Sequence, residues 1–67
     1  MITIQVNDKK QTFSENLTVY QLIEQLNIQT NGIAVAVNND VVSKPNWEKR
    51  EVVDQDNILI IKSTQGG

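Results

Sequence analysis

The chain has 67 residues and no cysteine, so neither disulfide bridges nor thiolate metal sites can support its fold. A domain of this size buries only about 60 % of the surface that its unfolded chain exposes. Its core must therefore be thin and must depend on side-chain packing and strand pairing. The length allows one domain, with little room for an enclosed substrate cavity.

The ionisable residues argue against an autonomous enzyme. The chain lacks histidine, the side chain whose pKa lies nearest neutrality and the commonest metal ligand. Six basic residues against eight acidic ones give a formal net charge of -2, which provides no basic surface for nucleic acid. The acidic residues all stand in polar surroundings that indicate surface positions: Asp8, Glu15, Glu24, Asp40, Glu48, Glu51, Asp54 and Asp56.

The N-terminus lacks the charged and then apolar layout of a signal peptide. The longest apolar run, Ile33–Val37, is far shorter than the roughly 20 residues that cross a bilayer. We therefore expect a soluble cytoplasmic protein without membrane contact.

Two β-hairpins are predicted from the hydrophobic pattern. Residues Ile2–Val6 alternate apolar and polar side chains, the period of a half-buried strand, and after a polar turn residues 11–13 form the returning strand. The run Ile33–Val37 is apolar at every position, which is typical of a strand with little exposure on either face. Residues 38–40 favour a turn with positive φ, and residues 41–42 form a short return strand.

One amphipathic helix lies between the hairpins. Thr18 and Gln21 match a capping box, and Leu17 and Leu22 are spaced as a hydrophobic staple. Asn27 suits the left-handed residue that ends the helix. The apolar stripe recurs with helical spacing at Val19, Leu22, Ile23 and Leu26.

The last third of the chain predicts a helical turn and a final strand. Residues 43–49 could hold one turn of helix with Pro45 near its start, and Trp47 would cover the core edge. A polar turn then leads to a strongly β-prone strand over residues 58–61. This element order permits an α+β fold, a β-grasp (ubiquitin-like) mixed sheet of about five strands with one helix on one face and the first and last strands parallel at its centre.

Residues 63–67 follow the last strand and end in Gly66 and Gly67. We predict a β-grasp domain over residues 1–62 and a flexible tail over residues 63–67. A tail whose tip has no side chains could enter the active site of another protein, which makes the terminal carboxylate a candidate reactive group. The alternative interpretation of the two glycines is a frayed chain end.

Several features together resemble a known family, and they cover nearly the whole chain: the Asn7-Asp8 turn, the helix over residues 19–26, the 33–42 hairpin, Trp47, the Asp54 and Asp56 turn, and Gly66-Gly67. The chain resembles the sulfur carrier proteins of thiamine thiazole biosynthesis, which are ubiquitin-like β-grasp proteins ending in Gly-Gly. Its length and the Trp47 region favour this family over the small subunit of molybdopterin synthase, a longer relative.

Three loops depart from the family pattern. An Asn-Gly turn is replaced by Asn38-Asn39, an Asp-Gly-Asp turn by residues 54–56 with Gln55 at the centre, and a Val-Pro-Arg segment by residues 42–44 with its proline moved to Pro45. If positive φ persists there, the cost is modest for Asn39 and larger for Gln55.

The resemblance implies a chemistry in which the chain is a protein co-substrate and not an enzyme. An E1-like adenylating enzyme would use ATP to activate Gly67, and a sulfur donor such as a cysteine desulfurase persulfide would convert it to a thiocarboxylate. Gly66 would give the tail access to a narrow channel, and the sulfur would pass to a thiazole synthase. The resemblance implies no bound cofactor, no metal, and no catalytic residue within the chain itself.

The candidate docking residues, Leu59 and Ile61, lie on the last strand. They share one face of it, and Ile58 and Ile60 share the other. If the second pair packs under the helix, the first pair forms an apolar surface suited to docking partners. Two other interpretations are equally open: the strand has the opposite register, or Leu59 and Ile61 are ordinary exposed aliphatic residues. Lys62 could steer the tail or could simply be a solvated edge residue.

Two other functions stay open. The same tail chemistry could supply sulfur to a molybdopterin precursor or a tRNA base, or could join the chain to a lysine as a protein modifier. Alternatively, the domain could be a non-covalent docking module with an inert tail.

Overall fold

The computed structural model describes residues 1–62. The predicted tail, residues 63–67, lies outside the described residues. In chain order the elements are β1 (Ile2–Val6), β2 (Lys9–Phe13), β3 (Leu17–Thr18), α1 (Val19–Gln25), β4 (Ile33–Val37), β5 (Asp40–Val42), a 3-10 turn (Lys44–Asn46), β6 (Glu51–Val52) and β7 (Asn57–Lys62).

Five of the strands form one mixed sheet in the order β2-β1-β7-β4-β5. β1 and β7 are parallel, with Val6 opposite Ile58, and each hairpin is antiparallel. β7 is the central strand, because β1 pairs with one of its edges and β4 with the other. The predicted β-grasp architecture is confirmed, and the described chain ends on the central strand.

The core lies between the sheet and α1. Alternate residues of β1, β4 and β7 face it, and they pack against the buried face of the helix. The fully buried members include Ile4, Val35, Val37 and Ile58 from the sheet and Val19, Leu22 and Ile23 from the helix. The opposite face of the sheet has no helix among the described residues, which leaves alternate side chains in contact with solvent.

The prediction that Ile33–Val37 has little exposure on either face is therefore wrong. Val35 and Val37 are buried, but Ala34 is exposed and Ala36 is only partly buried. The run is apolar throughout although only one face of the strand is buried. A small alanine side chain can be exposed to solvent at little cost in free energy.

The ends of α1 follow the predicted local chemistry. The Thr18 hydroxyl accepts a hydrogen bond from the Gln21 N–H at 3.2 Å, and the Gln21 side chain accepts one from the Thr18 N–H at 2.9 Å. At the other end Asn27 has φ 60°, and its N–H and that of Ile28 bond to carbonyl groups of the last helical turn. This is a Schellman ending, which needs the left-handed residue that Asn supplies.

Two short strands were not predicted. β3 and β6 pair antiparallel as a separate two-stranded ladder, with Leu17 opposite Val52. Two residues are too few to show a period of two, so the pattern could not reveal them. The ladder brings the segment after the 3-10 turn back against the start of the helix, where the Val19 N–H bonds to the Arg50 carbonyl at 2.9 Å.

Trp47 closes the core beside this ladder and is only 1 % exposed. Its indole N–H donates to the Val42 carbonyl at 2.9 Å, and its own carbonyl accepts from the Tyr20 N–H at 3.1 Å. The preceding turn is 3-10 and not α-helical, with Ser43 as its N-cap and Pro45 in its first turn. Trp47 therefore joins β5, the 3-10 turn and the helix, as expected of a core residue.

The expectation that every acidic residue lies at the surface is wrong for Asp56, which is only 8 % exposed. Its carboxylate accepts from the Val53 N–H and from the Asn38 side chain, both at 2.9 Å. Asn38 in turn accepts from the Asn57 N–H at 2.9 Å. The buried carboxylate is therefore fully hydrogen-bonded and joins two loops at one end of the central strand.

Two of the three loops that depart from the family pattern keep positive φ, whereas Ser43 in the third has φ -70°. Asn38 and Asn39 have φ of 51° and 72°, and Gln55 has 74°. The Gln55 conformation is held by its N–H, which donates to the Thr3 carbonyl at 2.7 Å. Tertiary hydrogen bonds thus stabilise a left-handed residue where glycine is the usual choice.

Replacing Trp47 with phenylalanine should lower the free energy of unfolding by about 2 kcal/mol, because it leaves a void and removes the donor to the Val42 carbonyl. Urea unfolding measures the change. Tyr20→Phe, at a half-buried aromatic residue that also borders the core, is the control and should cost less than about 0.5 kcal/mol. Equal effects of the two substitutions would contradict the assigned role of Trp47.

Acid should weaken the contact between β1 and the 54–56 turn. The Thr3 N–H, which donates to Asp54 at 2.7 Å, and then the Gln55 side chain hold the pKa of Asp54 below its ordinary value of 3.8. A lowered folded-state pKa gives stability that is present above 3.8 and is lost as the pH falls through the folded-state value.

Asp54→Asn should therefore be less stable than the parent chain at about pH 6, and the difference should shrink towards about pH 2.5. Urea midpoints at the two pH values test this. Glu15→Gln, at an exposed residue with no hydrogen bond among residues 1–62, is the control. A stability difference for Asp54→Asn that stays constant with pH would be inconsistent with this contact.

Candidate functional site

The predicted reactive residues, Gly66 and Gly67, lie outside the described residues. The structure describes the chain as far as Lys62, the residue before the predicted tail. Lys62 is the last residue of β7, and it stands opposite Ile33 of β4. The tail therefore continues from the middle strand of the sheet and not from an edge strand.

The two faces of β7 differ sharply in burial. Ile58 and Ile60 are buried in the core beneath α1, whereas Leu59 and Ile61 are 48 % and 54 % exposed. Of the two registers left open by the sequence, the structure has the one in which Leu59 and Ile61 lie on the open face of the sheet. Both large aliphatic side chains stand within three residues of Lys62.

The strand register extends this apolar surface across three strands. Ala34 stands opposite Ile61, Ala36 opposite Leu59, and Val41 opposite Ala36. Val41 is 74 % exposed. We call these five residues the open-face patch: Ala34, Ala36, Val41, Leu59 and Ile61. Ala34, Ala36 and Val41 were not singled out from the sequence, although the hairpin turn at Asn38-Asn39 fixes the register that places them here.

The remainder of the open face is polar. Thr3 stands opposite Thr12 on the β1–β2 hairpin, and Gln5 lies between Lys10 on one side and Asn57 on the other. The open face is therefore divided into a polar half on β1 and β2 and an apolar half on β7, β4 and β5. A surface divided in this way can orient a partner, because excluding water is favourable only on the apolar half.

Residues 1–62 contain no group of three or more side chains that could hold a metal ion. An open recess of about 420 Å³ lies between the β2–β3 loop and α1, away from β7. No helix in this part of the chain is long and apolar enough to span a membrane.

Comparisons with known proteins agree with this geometry. A family model described as the ThiS family matches residues 2–67. The chain is 34 % identical over 61 residues to the sulfur carrier protein ThiS of Escherichia coli K12, which covers 91 % of this chain and 92 % of that protein.

Among solved structures, the chain is similar to the crystal structure of a thiamine biosynthesis protein (ThiS) from Geobacter metallireducens. The two share 26 % identity with a TM-score of 0.88, over 98 % of this chain and 100 % of the other. The family model matches nearly the whole sequence, and the described β-grasp sheet, its central β7 and α1 agree with it. The chain therefore belongs to the ThiS family.

Proposed function

We propose that this chain carries sulfur for thiazole formation in thiamine biosynthesis, with Gly67 as the residue that bears the sulfur. The observation that supports this most strongly is the family match, which runs through Gly67. The relative from Escherichia coli is a sulfur carrier protein. A cytoplasmic location is part of the proposal.

The chemistry follows from the state of a terminal carboxylate. An α-carboxyl group has a reference pKa near 3.5 and is ionised at neutral pH, which makes it a poor electrophile. An E1-like adenylating enzyme would join one carboxylate oxygen to the α-phosphorus of ATP and release pyrophosphate. The resulting acyl-adenylate has a good leaving group, so a sulfur nucleophile can attack its carbonyl carbon.

The sulfur donor would be a persulfide, such as one formed on a cysteine desulfurase. Its terminal sulfur would displace AMP and form an acyl disulfide, and a thiol would then reduce the S–S bond to release the thiocarboxylate. A thiazole synthase would take the sulfur, and hydrolysis would return Gly67 to a carboxylate. No step needs a catalytic side chain or a bound cofactor on this chain, since ATP is used by the partner.

The position of β7 suits this role. Residues 63–67 span at most about 18 Å when fully extended. An active site that reacts with Gly67 would therefore open close to the end of β7. Gly66 and Gly67 add no Cβ atom, which favours passage of the backbone through a narrow channel.

The open-face patch is proposed as the docking surface for the adenylating enzyme and the thiazole synthase. Leu59 and Ile61 are its centre, because both are large, exposed and adjacent to the start of the tail. Ala36 and Val41 continue the apolar surface on the neighbouring strands. Aliphatic side chains at this spot would hold the domain while the tail reaches the reaction centre.

Removing Gly67 should abolish adenylation, because the new terminal carboxylate would fall one residue short of the reacting phosphorus. The measurement is ATP-pyrophosphate exchange by a cognate adenylating enzyme. Gln65→Ala, which changes the same tail but keeps its length and ending, is the control and should retain most of the exchange. Full exchange without Gly67 would refute its assignment as the activated residue.

Replacing Leu59 with serine should raise the half-saturating concentration of the chain about tenfold in the same assay, since a central aliphatic contact is lost. Ile61→Ser should act alike. Val53→Ser is a matched control, because Val53 is similarly exposed, at 44 %, but lies in the loop between β6 and β7. If all three substitutions have the same effect, the open-face patch is not the docking surface.

A further inference from the structure

Asn7 stands where β1 ends, beside the half of β7 that leads to the tail. Its φ of 52°, followed by 69° at Asp8, turns the chain away from β7 and into β2. The Asn7 N–H donates to the Ile58 carbonyl at 3.0 Å, and the β1–β7 register ends at Val6 opposite Ile58. Beyond this point, the β1 backbone is no longer paired with β7.

Beyond this point, the side chain of Asn7 makes the hydrogen bonds to β7 that the β1 backbone no longer makes. Its Oδ1 accepts from the Ile60 N–H at 2.8 Å, and its Nδ2 donates to the Ile60 carbonyl at 3.2 Å. A carboxamide offers both an N–H donor group and a carbonyl acceptor, as a peptide group does. The side chain therefore continues the ladder one step further along β7. We call this pair of hydrogen bonds the Asn7 clamp.

The turn alone does not require the clamp. Asp8 in the same turn has φ 69° and Asn39 in the β4–β5 turn has φ 72°, yet neither side chain makes a hydrogen bond among residues 1–62. Glycine would satisfy the backbone at either position. The bonds from Asn7 to Ile60 are thus an additional feature, and they act two residues before Lys62, where β7 ends.

We propose that Asn7 is a positioning residue for sulfur transfer, which fixes the origin and direction of the tail by holding β7 at Ile60. This inference deepens the proposed function and depends on it. β4 holds the other edge of β7 as far as Lys62, opposite Ile33. Loss of the clamp should therefore leave the strand paired on one edge, with its direction towards the partner's active site less well defined.

The prediction is a change in rate without a change in docking. Because small misplacements of reacting groups strongly slow a reaction, Asn7→Gly should lower the maximal single-turnover rate of pyrophosphate release about tenfold. The half-saturating concentration should stay within about twofold, since the open-face patch is intact. Asn39→Gly, the same substitution in the other hairpin turn, should change neither quantity.

Hydrogen exchange at the Ile60 amide shows whether the clamp has opened. Faster exchange at Ile60 in Asn7→Gly, together with the slower maximal rate, would support the inference. Faster exchange with an unchanged rate, or a purely raised half-saturating concentration, would overturn it and leave Asn7 as an ordinary turn residue. An equal loss of rate in Asn39→Gly would also overturn it.

Asn7→Asp provides a second variant should the glycine variant fail to fold. Aspartate keeps an acceptor for the Ile60 N–H but sets a carboxylate oxygen against the Ile60 carbonyl, so the maximal rate should again fall while docking is kept. An unchanged rate would overturn the inference. If the parent chain itself releases no pyrophosphate with an enzyme active on another carrier, the proposed function fails first, and the positioning role fails with it.

Discussion

The structure depends on the central strand β7, which is held on both edges at once. β1 pairs with it in parallel and β4 in antiparallel, so the two ends of the described chain meet in the middle of the sheet. Its inward residues, Ile58 and Ile60, complete the core, and its outward residues, Leu59 and Ile61, form the centre of the open-face patch. One strand thus connects fold stability, the proposed docking surface and the origin of the tail.

Polar side chains reinforce β7 near both of its ends, Asn38 on the β4-facing edge and Asn7 on the β1-facing edge. Asn38 and Asp56 hold the turn before the strand, and Asn7 holds Ile60 near its end. Asn7 and Asn38 also take left-handed backbone conformations, so the same residue shapes a turn and bonds to the strand. This dual use explains how a domain without cysteine and with a thin core can keep its loops ordered.

Much of this could be predicted from the sequence where a residue pattern has one physical solution. The alternation of Ile2–Val6 and the Thr18 capping box led directly to the observed strand and helix. The pattern failed where tertiary contacts decide: β3 and β6 are too short to show a period, and Asp56 is buried because Asn38 and Val53 satisfy its carboxylate. The Asn7 clamp depends on a contact across 53 residues, which no local pattern contains. The assignment of Gly67 came from family resemblance.

If Gly67 carries sulfur, the intact mass of the chain should change after incubation with ATP, a cognate adenylating enzyme and a persulfide sulfur source with a thiol reductant. One carboxylate oxygen should be replaced by sulfur, located by fragmentation to Gly67 and dependent on ATP. An unchanged mass, with an enzyme shown to be active on another carrier, would contradict the carrier function.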